Sequence, residues 1–78
     1  DAMVLRDGRD IRFVLPAHRL PGVVRLSVLG LQGQLLHTSV HTGRQIRWDA
    51  SRFAAGTYMV ELRGSHSPSR ERFPLRVD

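Results

Sequence analysis

The chain has 78 residues, 41% of them hydrophobic, no cysteine and a formal net charge of +5. This length holds one domain with a modest core and leaves no room for a catalytic cleft between subdomains. The apolar content is too high for a disordered chain, and without cysteine no disulfide or thiolate metal site can form.

Period-two alternation of apolar residues runs almost throughout, which predicts strands. The first spans Ala2 to Arg6 and is closed by Asp7-Gly8. The second, Asp10 to Leu15, places Ile11, Phe13 and Leu15 on one face and Arg12 on the other. Pro16 to Gly22 is a loop bounded by prolines. The third strand, Val23 to Leu29, sets Val24, Leu26 and Val28 opposite Arg25 and Ser27. Gly30-Leu31-Gln32-Gly33 is a tight turn, in which both glycines are expected to take positive φ.

The fourth strand, Gln34 to Val40, puts Leu36, Thr38 and Val40 on a shared face, and Thr42-Gly43 turns the chain. The fifth, Gln45 to Trp48, points Ile46 and Trp48 inward and Arg47 outward. After a compact loop from Ala50 to Gly56, the sixth strand, Thr57 to Arg63, turns Tyr58, Val60 and Leu62 inward. Gly64 to Ser69 is a polar loop. The last strand, Arg70 to Val77, turns Phe73, Leu75 and Val77 inward and Arg72, Pro74 and Arg76 outward. Pro74 cannot donate to a ladder, so this strand belongs at an edge.

Seven short strands with turn signals every eight to twelve residues predict an all-β fold, an immunoglobulin-like antiparallel β-sandwich occupying residues 1–78 as a single domain. No stretch has a helical period or is long and apolar enough to span a membrane, and no signal peptide is present. The opening Asp1-Ala2-Met3 reads as a fragment of a longer protein.

Three stretches are more specific than alternation. They are Arg25-Leu26-Ser27-Val28-Leu29-Gly30-Leu31-Gln32-Gly33-Gln34, then Arg47-Trp48-Asp49-Ala50-Ser51, then Phe53-Ala54-Ala55-Gly56-Thr57-Tyr58-Met59-Val60-Glu61-Leu62. With Ile11-Arg12-Phe13-Val14-Leu15-Pro16 before them, they resemble the C-terminal sorting domain of cargo exported by the type IX (Por) secretion system. They are also similar to the immunoglobulin-like domain of flagellar hook-capping proteins. Where the sorting family carries lysines in its last strand, this chain carries Arg70, Arg72 and Arg76.

The resemblance implies a non-catalytic, C-terminal secretion signal that directs a larger cargo across the outer membrane, or to the cell surface, by way of the periplasm. The implied partners are the outer-membrane secretion machinery and an upstream cargo domain in the same chain. Arg70, Arg72 and Arg76 are the candidate contacts. A passive accessory module of an extracellular hydrolase, binding carbohydrate or polyanion, is the alternative. A structural domain of a surface assembly is another.

The landmarks also have physical readings. Gly33 is expected in a left-handed turn, and Trp48 at the centre of the core. Asp49 is placed to accept backbone N–H groups from Ser51 or Arg52. Gly56 lets the chain swing into the sixth strand. Tyr58 can reach loop backbone with its hydroxyl, as in a tyrosine corner.

Catalytic and metal chemistry find little footing. His37 and His41 share a strand face but stand roughly 13 Å apart along the backbone, too far to share one metal ion; His18 and His66 lie in separate loops. Asp7 and Asp10 flank one turn, yet a calcium site needs several oxygens together. Ser65-His66-Ser67 has no glycine elbow. No enzyme activity and no cofactor are expected.

Sugar-binding modules present exposed rings, but Phe13, Trp48, Tyr58 and Phe73 have inward parity and Phe53 reads as a loop anchor. All twelve basic residues are arginine. That reads either as the codon usage of a GC-rich genome or as an anion-gripping surface, because guanidinium binds phosphate and carboxylate bidentately. Arg12, Arg25, Arg47, Arg63, Arg72 and Arg76 share outward parity. They make either one basic face, which would attract an anionic surface polysaccharide, or two solvated faces that guard against edge pairing. No nucleic-acid fold or stacking surface is present, so nucleic acid is not an expected partner.

Overall fold

The computed structural model describes residues 2–16, 22–65 and 70–78. Seven strands form: β1 (Met3–Asp7), β2 (Asp10–Val14), β3 (Val23–Leu29), β4 (Leu35–Thr42), β5 (Gln45–Asp49), β6 (Gly56–Gly64) and β7 (Arg70–Val77). They build two antiparallel sheets, β1-β2-β5 and β4-β3-β6-β7. This order is that of an immunoglobulin-like sandwich whose fourth strand joins the sheet of strands three, six and seven.

The alternation explains the core. Ile11, Phe13 and Leu15 from β2 and its exit, Val24, Leu26 and Val28 from β3, and Ile46 and Trp48 from β5 are buried. Val60 and Leu62 from β6 and Leu75 and Val77 from β7 complete the facing layers. Phe13 is the largest fully buried side chain and meets Phe73 of the opposite sheet at 5.9 Å between ring centroids. Trp48 belongs to the same core and packs in a cluster with Phe53 at 4.9 Å and His37 at 6.1 Å. Phe53 stands between the Trp48 and Tyr58 rings.

Two turn expectations divide. Gly33 takes φ 89°, as its position after β3 requires, but Gly30 is not left-handed. At Gly30 an added Cβ would fall 2.5 Å from the end of the exposed Gln34 side chain, a flexible group free to swing aside. Gly30 and Gln34 close this turn, with the Gly30 N–H donating to the Gln34 carbonyl at 2.9 Å.

β4 departs most from simple alternation. Leu29 pairs with Leu35 while Val28 pairs with His37, so Leu36 is an extra residue in a bulge. Thr38 pairs with Ser27 and Val40 with Arg25, so the shared face of Leu36, Thr38 and Val40 is the outer one, and all three are exposed. The inner, half-buried positions go to His37, Ser39 and His41.

Candidate functional site

The loop from Ala50 to Gly56 is held by several hydrogen bonds. The Asp49 carboxylate accepts the Ser51 backbone N–H at 3.0 Å, the Asx-type turn expected from the sequence. That bond holds the Asp49 carboxyl below the usual carboxylate range. Gly56 carries φ 152° where the chain enters β6, and the Tyr58 hydroxyl donates to the Ala54 carbonyl at 2.6 Å. Arg9, which alternation did not single out, clamps the loop from below. It donates to the carbonyls of Ala50, at 3.1 Å, and Phe53, while its own carbonyl accepts the Ala50 N–H. These contacts make the segment a scaffold.

The arginines divide between the two sheets. On the three-stranded sheet Arg12 pairs with Arg47, and Asp10 stands between Asp7 and Asp49 in the next row. Arg47 grips Asp10 through both carboxylate oxygens, at 3.0 and 2.7 Å. This fork holds the Asp10 carboxyl below its ordinary range and raises the Arg47 guanidinium. Asp10 and Asp49 are thus already engaged. Among the described residues no three histidines or carboxylates gather to hold a metal ion.

The outer face of the four-stranded sheet is different. Arg25 pairs with Arg63, and Arg63 with Arg70, so three guanidinium groups stand abreast across β3, β6 and β7. Arg72 lies one row on, opposite Glu61. Glu61 approaches Arg72 at 3.4 Å and Arg70 at 3.7 Å, ion pairs too long for hydrogen bonds. Glu61 is thus shared by two guanidiniums, those of Arg70 and Arg72. A shallow depression of about 440 Å³ opens between Val23, Arg25, Val40, Glu61 and Arg63.

Of the three β7 candidates, Arg70 and Arg72 join this face, and Arg76 sits toward the chain end beside Asp78 at 3.5 Å. All three are exposed. The six outward arginines of the sequence thus form two unlike faces, and the single basic face does not arise. Arg6 and Arg44 serve the backbone, donating to the carbonyls of Arg76 and Leu15.

His37 and His41 come closer than strand spacing implied. Both Nε2 atoms reach the Ser39 hydroxyl, at 3.1 and 2.7 Å, because the side chains lean toward each other over the residue between them. The chain His37–Ser39–His41 lies on the inner, half-buried side of β4. Beside it the Trp48 indole N–H is buried with no hydrogen-bond partner among the described residues. His18, His66 and most of the Ser65-His66-Ser67 segment lie outside the described residues. Phe13 and Trp48 are buried and Phe53, Tyr58 and Phe73 half-buried, so no ring is set out as a sugar platform. No family model matches the chain, and neither curated proteins nor solved structures give a match.

Proposed function

We propose that this sandwich is a non-catalytic sorting domain that directs a larger secreted protein through the outer membrane or to the cell surface. The single observation behind the reading is that the residues carrying the sequence resemblance act together in one framework. Gly33 turns β3 into β4, Trp48 and Asp49 end β5, and Gly56 and Tyr58 begin β6. Beside that framework, the edge strand β7 offers Arg70, Arg72 and Arg76 as exposed cations to the secretion machinery. The test is export: these residues fused behind a signal peptide and a fluorescent reporter carry the reporter out of a host with a type IX system. Retention of the reporter in the periplasm, beside an exported control, refutes the reading.

A second reading rests on the row Arg25–Arg63–Arg70. Like charges abreast on a sheet repel one another unless a counter-charge lies over them. A sulfated or carboxylated polysaccharide supplies such a charge, and the chain then acts as a passive accessory module. Retention on a heparin column that falls steeply with salt supports this reading; no retention at low ionic strength removes it.

A further inference from the structure

We propose that β4 is a docking edge for a second copy of this chain, forming a two-fold dimer in which the two β4 strands pair antiparallel about Thr38. The proposal stands apart from the sorting reading.

Four strands end the two sheets: β1, β5, β4 and β7. An edge strand exposes unpaired N–H and C=O groups, and proteins ordinarily guard such edges with charges, proline, bulges or shortness. β7 carries Pro74 and three outward arginines. β1 and β5 have five residues each and include Arg6 and Asp7, and Arg47 and Asp49. β4 has eight residues, Leu35-Leu36-His37-Thr38-Ser39-Val40-His41-Thr42, with no carboxylate, arginine or proline, and its one guard is the bulge at Leu36 near its start.

Exposed apolar surface gathers at the same place. Leu35, Leu36 and Val40 are 58%, 45% and 55% exposed; Leu31 in the preceding turn and Val23 on the neighbouring strand add to them. Such a strand is a template for pairing.

Self-complementarity selects the occupant. Antiparallel pairing about Thr38 sets residues whose numbers sum to twice 38 opposite one another, which keeps inner faces with inner and outer with outer. On the outer face Leu36 then meets Val40 of the second copy, twice, and the two Thr38 side chains meet at the axis. On the inner face His37 meets Ser39 of the second copy, twice, a pair able to hydrogen-bond. Apolar pairs and threonine pairs are favourable cross-strand neighbours.

No like charges meet. The row through Thr38 runs back through Ser27 to Glu61 and Arg72 in both copies. The basic row ends at Val40, which faces Leu36. The product is a continuous eight-stranded sheet with an isologous, closed interface.

Cysteine cross-linking tests partner and register together, because the natural chain has none. At the axis, Thr38→Cys faces itself at about 4.5–5.5 Å between Cα atoms, within disulfide reach. Two Val40→Cys residues stand about 13 Å apart. Both positions are on the exposed outer face, so neither change disturbs the core. Under mild oxidation Thr38→Cys should yield a covalent dimer and Val40→Cys should not, while mixed Leu36→Cys and Val40→Cys chains should yield the heterodimer. The unmodified chain should show a concentration-dependent dimer in sedimentation equilibrium that Val40→Lys shifts toward monomer. A chain that stays monomeric at every concentration overturns the proposal, and so does equal cross-linking at positions 38 and 40.

Discussion

The Tyr58 hydroxyl donates to the Ala54 carbonyl at 2.6 Å, tying the start of β6 back onto the loop that leads to it. The same ring meets Phe53 edge to face, with centroids 5.6 Å apart. One side chain thus joins polar closure of the loop to the aromatic cluster over β5.

Replacing Tyr58 with Phe keeps the ring contact and removes only the hydrogen bond. The expected loss is about 1 kcal/mol, the ordinary net value of such a bond. Tyr58→Ala removes the ring as well and should cost clearly more. Urea unfolding followed by circular dichroism separates the two; equal losses would mean that the hydroxyl, and not the ring, sets the contribution of Tyr58.

Trp48 is 3% exposed and in ring contact with Phe53 and His37. Truncating a buried aromatic to alanine costs about 3–5 kcal/mol. A chain of this length has about 4–12 kcal/mol of stability in all. Trp48→Ala should therefore lower the melting temperature steeply or leave the chain largely unfolded. The unpartnered indole N–H pulls the other way, since a buried donor without an acceptor carries a desolvation cost of about 1–3 kcal/mol. Trp48→Phe, which removes that donor and keeps an aromatic ring, should accordingly lose much less. A Trp48→Ala variant that melts within a few degrees of the parent would contradict the packing described.

Acid should destabilise the fold through Asp10 and Asp49. Both carboxyls are held below the ordinary range, Asp10 by the Arg47 fork and Asp49 by the Ser51 N–H. A carboxyl whose folded pKa is depressed stabilises the fold above its unfolded value, about 3.9, and loses that contribution as pH falls through the folded value. Stability should thus be flat around neutrality and fall below about pH 4. Asp10→Asn should be less stable than the parent near neutrality and should show a shallower acid slope. An unchanged slope would mean that the Arg47–Asp10 fork does not persist in solution.

Much of this architecture was legible in the alternation. Strands β3 and β7 have the bounds read from the sequence, and the others differ by one or two residues at one or both ends. The inward sets from Ile11 to Val77 follow parity because a half-buried strand has only two faces to choose from.

What parity could not give were features that depend on partners across the fold. The bulge at Leu36 is set by the pairing of β3 with β4, so the outward turn of Leu36 and Val40 had no local signal. Gly30 and Gly33 look alike in sequence, and the backbone tells them apart, since only Gly33 of the two takes a positive φ. The six outward arginines were visible as a set. Their division into a carboxylate-balanced sheet and a basic one follows from strand order. Arg9 gave no motif at all; its role comes from the loop that β5 delivers to it.

The measurement closest to the central claim is export of the fluorescent reporter fused to this chain, compared with a triple Arg70→Gln, Arg72→Gln, Arg76→Gln variant in a host with a type IX system. All three side chains are exposed, so the variant should keep the circular dichroism spectrum of the parent. The account predicts that the parent fusion reaches the surface or medium and that the folded variant is retained in the periplasm. A parent fusion that stays in the periplasm while an established sorting domain exports the same reporter would contradict the sorting function itself. Equal export of parent and variant would remove the β7 arginines from the recognised surface.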